Sequence, residues 1–569
     1  MRHWLWSLAL LCSVFISISN AASPLPVWGK NAMVSSADPL ATEVGVNILR
    51  SGGNAIDAAV GVAFALGVTE NFSSGIGGGC FIVIRLADGT SVTIDGRETA
   101  PARATRLMFV PKDTTSPSYL STMGVMAAGT PGEVAALELA LKKYGTKTLA
   151  EVLEAPIALA DTGFDVGIRY DIYLQNYAPF LGMFEGTKQI FFKNDSMTFA
   201  FGDRFVQQDL AATLRRISAE GAEGFYHGYV PETVDKYMRD HKGALRAADF
   251  ESYAAIEREP VYGSYRGYDV ISMPPPSSGG IHVIQMLGLL EDYDLGYFGA
   301  GSSDAIHLIA EAMQIAFADR AEFLGDPGFV NVPTAGLMNP DYLNQQRMLI
   351  NRLQHDKLDG PGNPQDFLPP EIEHPDLKHT THLSVIDNLG NAVAITATIN
   401  TPFGCGVIVP GTGFFLNNEM DDFVTWPGRP NYFGLIGKEA NEIEPGKRPL
   451  SSMTPTILVR DGKPIMVLGG AGGPRIITGT LLTIINSIDF GMSLQAAIDY
   501  PRFHNQWVPD YLFLEQEYAI DLMEALRDKR HNIYPQTHWA NVNAVSADTL
   551  YGGFWGASDS RGSGLAKGF

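Results

Sequence analysis

Two rhythms of apolar and polar residues run through the first hundred positions, and together they predict helices packed on a sheet. Residues 38–49 and 54–66 are Ala- and Leu-rich stretches of helical length, separated by the stop Ser51-Gly52-Gly53. Residues 81–85 and 91–94 are short runs rich in β-branched types joined through Asp88-Gly89, which read as two strands and their turn. Between them, Gly75-Ile76-Gly77-Gly78-Gly79 leads into a strand and lacks the helix and Lys-Ser/Thr of a phosphate loop, so a tight packing turn is expected. From Pro131 to about residue 260 the pattern is mostly helical, with Pro131-Gly132 opening a helix through Tyr144 and a second over 149–161. Further on, Ser303-Asp304 caps a helix whose Ile306, Ile309, Ala310, Met313 and Phe317 recur at helical spacing as a core stripe. Its other face carries Glu311, Gln314 and Asp319, and His307 is expected to be packed or at the surface.

The rhythm breaks over 354–378, where His355, Asp356, Pro361, Gly362, Pro364, Pro369, Pro370 and Pro375 crowd into a polar stretch. Such a stretch neither continues a helix nor joins a sheet interior, so it reads as a loop or linker. It runs into Lys378-His379-Thr380-Thr381-His382-Leu383-Ser384-Val385-Ile386-Asp387. There 383–386 and 392–399 predict a hairpin around Asp387-Asn388-Leu389-Gly390-Asn391.

Composition adds limits. With 45% hydrophobic and 18% charged residues over 569 positions, the chain has material for a large core and no signature of disorder. Met1-Arg2-His3, an apolar run from Trp4 to Ile18 and the small residues Ser19-Asn20-Ala21 read as a secretory leader, residues 1–21. The run is shorter than the roughly 20 apolar residues of a membrane span. The mature protein is therefore expected to be exported, periplasmic or extracellular, with no stable membrane span. A formal net charge of −21 repels phosphates, which argues against nucleic acid as a partner. Cys12 leaves with the leader; Cys80 and Cys405 remain, either as one disulfide or as two buried thiols. Neither His-Glu-x-x-His nor paired Cys-x-x-Cys is present, so no metal and no cofactor is expected.

The chemistry centres on Thr380. A threonine hydroxyl is a poor nucleophile without a base beside it. The nearest one is the residue's own α-amine, which exists only if the bond from His379 is cut. A second candidate is Arg97, in Asp95-Gly96-Arg97-Glu98-Thr99-Ala100-Pro101 directly after the second strand, where a guanidinium can fork two N–H bonds onto a carboxylate.

These stretches, followed by Asn417-Asn418-Glu419-Met420-Asp421-Asp422-Phe423, Lys447-Arg448-Pro449-Leu450-Ser451-Ser452-Met453 and Gly469-Gly470-Ala471-Gly472-Gly473, resemble the γ-glutamyltransferases (γ-glutamyltranspeptidases) in order and spacing. The likeness reaches back to Met33-Val34-Ser35-Ser36, Gly52-Gly53-Asn54-Ala55-Ile56-Asp57-Ala58-Ala59 and Ser74-Gly75-Ile76-Gly77-Gly78-Gly79. It reaches forward to Pro501-Arg502-Phe503-His504 and Gly556-Ala557-Ser558-Asp559. It implies an α/β (α+β) fold, the four-layer αββα sandwich of the N-terminal-nucleophile hydrolases. It also implies a precursor cut before Thr380 into a large subunit, 22–379, and a small catalytic subunit, 380–569. The resemblance assigns Thr380 as nucleophile, Thr398 as its support, and Gly472 and Gly473 as the oxyanion hole. Arg97, Ser451 and Ser452 would hold the donor's α-carboxylate, and Asn400, Glu419 and Asp422 its α-ammonium. The implied activity is transfer of a γ-glutamyl group from glutathione or other γ-glutamyl compounds to water or to an amino acid or peptide amine. The implied lid is Pro427-Gly428-Arg429-Pro430-Asn431-Tyr432-Phe433-Gly434-Leu435-Ile436-Gly437. Phe433 stands there where Tyr is familiar in the family, and Tyr432 precedes it, so the gating residue stays open; Cys80 stands where Gly is expected. Two other readings are a cephalosporin-acylase-like amidase of the same superfamily and an uncleaved, inactive envelope binding protein.

Overall fold

The computed structural model describes residues 24–111, 119–194, 196–367, 381–537 and 539–569. The expected leader, 1–21, and Thr380 lie outside the described residues. Among the described residues fourteen strands build two seven-stranded sheets. In chain order they are β1 (Val27–Gly29), β2 (Met33–Ser36), β3 (Gly79–Arg85), β4 (Ser91–Gly96), β5 (Ile256–Arg258), β6 (Val261–Tyr265), β7 (Tyr268–Ser272), β8 (Thr381–Ile386), β9 (Ala392–Thr398), β10 (Thr456–Arg460), β11 (Lys463–Ala471), β12 (Asn541–Ala547), β13 (Phe554–Ser558) and β14 (Leu565–Gly568). One sheet runs β1-β13-β12-β11-β10-β7-β6 and the other β14-β2-β8-β9-β3-β4-β5. Every pairing within these two sheets is antiparallel.

The sheets pack face to face, with β8 and β9 lying against β11 and β12. Helices α1 (Pro39–Arg50), α2 (Ala55–Thr69), α3 (Glu133–Tyr144) and α4 (Leu149–Thr162) form the layer outside the β8 sheet. Helices α5 (Gly279–Leu290), α6 (Ser303–Phe323) and α7 (Arg475–Ile488) form the layer outside the β11 sheet. This is the expected αββα sandwich. Strands covered on both faces have no polar side to show, which is why β8 and β9 are buried throughout. Strand alternation still sorts them. Leu383 and Val385 join the core under the helices, whereas Ser384 donates to the Asn543 carbonyl of the opposite sheet at 3.2 Å.

Local signals explain the helix boundaries. Asp38 caps α1 through the amides of Leu40 and Ala41 at 2.9 and 3.1 Å. Asn54 and Asp57 form a reciprocal capping box at the start of α2. The cap of α6 is Ser302, one residue before the expected Ser303-Asp304, its hydroxyl accepting from the Ala305 amide at 3.1 Å. The polar face of α6 is as buried as its apolar stripe, Glu311, Gln314 and Asp319 included, and His307 is packed inside. The segment expected to be mostly helical also supplies β5 at its end and the small strand pair Phe164–Asp165 and Arg204–Phe205. Cys80 and Cys405 are both buried free thiols, which closes the disulfide alternative.

Candidate active site

Strand β8 begins at Thr381, whose hydroxyl donates to Glu70 Oε2 at 3.0 Å; Glu70 Oε1 pairs with Arg169 at 2.9 Å. In the β8–β9 ladder Thr381 stands opposite Ala397, so Thr398 is the next residue along β9. Thr398 accepts the Asn400 amide on its hydroxyl at 2.7 Å and pairs across with Gly79 of β3. The glycines of 75–79 are what allow this approach. A Cβ on Gly78 would lie 1.7 Å from the Thr398 carbonyl oxygen, and one on Gly79 would lie 2.4 Å from Glu98 Oε2. The tight packing turn therefore brings the end of β9 against the Arg97–Glu98 turn that follows β4.

Arg97 is fully buried, and one guanidinium faces three carboxylates: Glu98 at 3.1 Å, Glu419 at 2.8 Å and Asp422 at 3.0 Å. Its Nε also donates to the Pro449 carbonyl at 3.4 Å. Glu419 and Asp422 lie on a buried 3₁₀ turn, Glu419–Asp422, held in place by Asn417. The Asn417 amide group donates to the Gly77 and Gly129 carbonyls at 2.8 and 2.9 Å. Burial alone would weaken the Arg97 charge, but Glu419, Glu98 and Asp422 outweigh it and hold the guanidinium protonated. The carboxylates are in excess. Burial pushes Glu98 up to about 7 against the pull of Arg97, and raises Glu419 well above the ordinary carboxylate range. One guanidinium among three acids leaves this buried cluster short of positive charge, and in a ligand carrying both an ammonium and a carboxylate the first would suit the acids and the second the arginine.

The 447–453 motif is stapled to the same turn. Arg448 pairs with Asp95 and donates to the Ala254 carbonyl at 2.8 Å, while Arg258 holds the other Asp95 oxygen at 2.8 Å. Ser451 and Ser452 are buried. The Ser451 hydroxyl accepts the Met453 amide at 3.1 Å, and the Ser452 hydroxyl accepts from Arg320 of α6 at 3.4 Å. Asn400 has a left-handed backbone, φ 74°, and its side-chain NH₂ donates to the Asn418 carbonyl at 2.9 Å. Its Oδ1 is buried without a hydrogen-bond partner among the described residues. A strained residue with an orphaned acceptor is the kind of feature a ligand completes.

Gly472 and Gly473 directly follow β11, with φ values of 135° and 61°. Here glycine is required, since a Cβ on Gly472 would strike the Ala540 Cα at 2.7 Å and one on Gly473 the Phe433 ring at 2.6 Å. The lid sequence thus lies on this turn through Phe433, while Tyr432 is 58% exposed. Asn431 ties the 427–437 segment to the Arg97 cluster, donating to Asp422 at 3.3 Å and accepting the Phe433 and Leu435 amides at 3.1 Å each. The two sheets meet nearby through His382, which bonds Thr396 and Ser384 at 2.9 and 3.0 Å and packs where a Cβ on Gly469 would be.

Arg97, Glu419 and Asp422 are thus in direct contact, Thr398 and Asn400 are joined by a hydrogen bond, and Gly473 sits under the lid. Glu98, Asn431, Arg320 and His382 enter the site without having been singled out. Glu98 was legible as the acid beside Arg97, and His382 stands two residues after Thr380; what Asn431 and Arg320 touch shows only in the fold.

The profile of the γ-glutamyltranspeptidase family matches residues 41–569. The chain is 43% identical over 539 residues to a glutathione hydrolase proenzyme of Escherichia coli, covering 94% of this chain and 91% of that protein. It is 43% identical over 573 residues to a protein of the same description from a Pseudomonas species, covering 99% and 98%. Among solved structures, a cephalosporin acylase from Bacillus halodurans superposes with a TM-score of 0.85 at 27% identity, covering 97% of this chain and 98% of that one.

Proposed function

The chain belongs to the γ-glutamyltranspeptidase family, and from that premise we propose that it is a γ-glutamyltransferase and glutathione hydrolase with Thr380 as its nucleophile. The precursor is cut into 22–379 and 380–569. The Thr380 hydroxyl attacks the His379 carbonyl, the acyl group moves from nitrogen to oxygen, and water hydrolyses the ester to free the Thr380 α-amine. That amine, with an ordinary pKa of about 7.7 to 8.0, is neutral often enough near working pH to take the hydroxyl proton.

The donor's α-carboxylate takes Arg97, with Ser451 and Ser452 beside it, and its α-ammonium takes Glu419, Asp422 and the open acceptor of Asn400. Thr380 Oγ attacks the γ-carbonyl, and the amides at Gly472 and Gly473 receive the oxyanion. Collapse expels the leaving amine, protonated by the Thr380 ammonium, and leaves a γ-glutamyl ester. Water or an incoming amino acid or peptide amine then attacks that ester through the same base. Thr398 supports the nucleophile. Glutathione is the donor this pocket suits, and a leader-directed periplasmic or extracellular site fits such substrates. Among the described residues no helix is long and apolar enough to cross a membrane.

The observation carrying this reading is the buried guanidinium outnumbered by carboxylates at Arg97, a receptor for a free amino-acid end rather than for a bare acyl chain. Release of aniline from a γ-glutamyl anilide but not from its glutaryl counterpart is the expected result; equal rates would favour an acylase. Scaled from 61.6 kDa, the subunits should migrate at about 39 and 21 kDa, with Thr380 first in the smaller. Thr380→Ala should leave one inactive chain, and cleavage persisting in it would place the nucleophile elsewhere.

A further inference from the structure

A second cluster of chemically able side chains lies outside the site above. His307 and Glu311 sit one turn apart on α6, and His531 comes from the turn between the helix Ile520–Asp528 and the strand Ile533–Gln536. All three are buried, and their ligand atoms lie within 4.8 Å of one another. Arg320, which reaches Ser452, is thirteen residues further along α6, about 20 Å away at helical rise.

We propose that His307, Glu311 and His531 bind one zinc or similar divalent transition ion, joining α6 to the C-terminal part of the chain. The donor set is two imidazoles and one carboxylate, which suits such ions and not the all-oxygen preference of magnesium or calcium. The tautomer at His307 is set from outside: Nε2 donates to the Asn351 carbonyl at 2.6 Å, so Nδ1 presents its lone pair to His531 Nε2 at 2.8 Å. A backbone carbonyl on the far nitrogen is the support metal-binding histidines characteristically have. Glu311 is held as firmly. Gln314 donates to Oε2 at 2.9 Å and to the Asp356 carbonyl at 3.1 Å, and His355 bonds Oε1 at 2.7 Å with its other nitrogen on Asp510 at 3.0 Å.

In the metal-free cluster a proton on His531 Nε2 bridges the two imidazoles. Entry of the ion moves that proton to His531 Nδ1 and places the ion between the nitrogens. With metal–nitrogen bonds of about 2.0 to 2.1 Å at a tetrahedral angle, the nitrogens separate to about 3.3 Å, a shift of about half an ångström. Glu311 supplies the third bond and water the fourth. Sequence inspection passes over the site because only His307 and Glu311 are close in the chain.

The test uses the mature protein, treated with chelator and dialysed, then titrated with Zn²⁺ by calorimetry and with Co²⁺ by visible absorption. One ion per chain equivalent is expected, with Co²⁺ giving the intense bands of a four- or five-coordinate site and raising Tm. His307→Gln and His531→Gln should each weaken binding by about 100-fold and leave anilide hydrolysis by the metal-free protein unchanged. Less than about a tenth of an equivalent bound, or undiminished binding in the double variant, would overturn the assignment. The Co²⁺ spectrum of the unaltered protein decides the matter even where a variant fails to fold. None of this rests on Thr380, so failure here leaves the enzymatic reading standing.

Discussion

Two buried ionic clusters in this molecule use the same side chains to opposite ends. Around Arg502, two arginines meet two acids: Arg502 holds Asp559 at 2.7 Å, and Arg561 holds Asp559 at 3.1 Å and Glu515 at 2.5 Å. The Val542 amide adds a bond to Asp559 at 2.9 Å and the Arg502 amide one to Glu515 at 2.8 Å. Despite burial, Arg502 and Arg561 hold Asp559 below the usual carboxylate range. Around Arg97 one cation meets three acids, and Glu98 and Glu419 are raised instead. Balanced charge closes a structure, whereas a deficit leaves room for a ligand's charge. Both Arg97 and Arg502 stand in motifs of the family likeness, and only the count of partners separates their roles.

The largest effect should come from breaking the balanced cluster. Asp559→Asn leaves two arginines facing one acid and should cost about 3 to 5 kcal/mol of stability, read as a fall in Tm. The kcat/KM of the molecules that remain folded should be unchanged. Arg97→Lys should do the reverse. It loses the planar fork and about 100-fold in kcat/KM for γ-glutamyl donors, from a charge-assisted contact worth about 1.5 to 3 kcal/mol, with Tm little altered. If both variants lost the same property, the distinction drawn here would fail.

A pH series sharpens the comparison further. Glu98 shares the Arg97 guanidinium with Glu419 and Asp422 and is raised to about 7 by burial, so an ammonium placed on those two acids favours the ionised form of Glu98 and expels its proton below that pH. Glutamate should therefore bind more weakly as pH falls from 7 toward 4.5, with proton release visible by calorimetry in buffers of different ionisation heat. The same raised group favours folding fully below pH 4.5, and that contribution is lost as pH rises through 7. Three interior histidines act in the other sense. His282, His382 and His504 are each depressed to about 3, chiefly by burial. Their contribution is present above about 6.5 and lost as pH falls toward 3. His282→Gln should flatten the acid slope of stability by up to about 1.4 kcal/mol per pH unit; an unchanged slope would remove His282 from this account.

The smallest effect concerns the lid. Phe433 covers Gly473, and Phe433→Ala should admit water and shift the ratio of hydrolysis to transfer toward hydrolysis by roughly threefold, measured with and without an acceptor dipeptide. Tyr432→Ala, at an exposed position, should change it less.

Much of the sandwich was legible beforehand, because α1, α2, β3, β4, β8 and β9 announce themselves through caps, turns and β-branched runs. The α6 helix was only half legible. Its period was clear, but Glu311, Gln314 and Asp319 look like a wet face in sequence and are buried, since their partners, Asp356, Tyr342 and Gln285 among them, come from other segments. Arg97 could be picked out by its place after a strand, while its outnumbering by acids needed Glu419 and Asp422 delivered from more than three hundred residues away. Asn431 stands in the implied lid motif, but its bond to Asp422 shows only in the fold.

The order of strands in the β8 sheet bears on how the mature protein holds together. Strand β2 lies between β14 and β8, and β1 lies beside β13 in the other sheet. A cut before Thr380 would leave one fragment threaded through the hydrogen-bond ladders of the other. Pulling the pieces apart would mean unzipping both sheets, so they should part only on denaturation and should not reassemble readily when made separately.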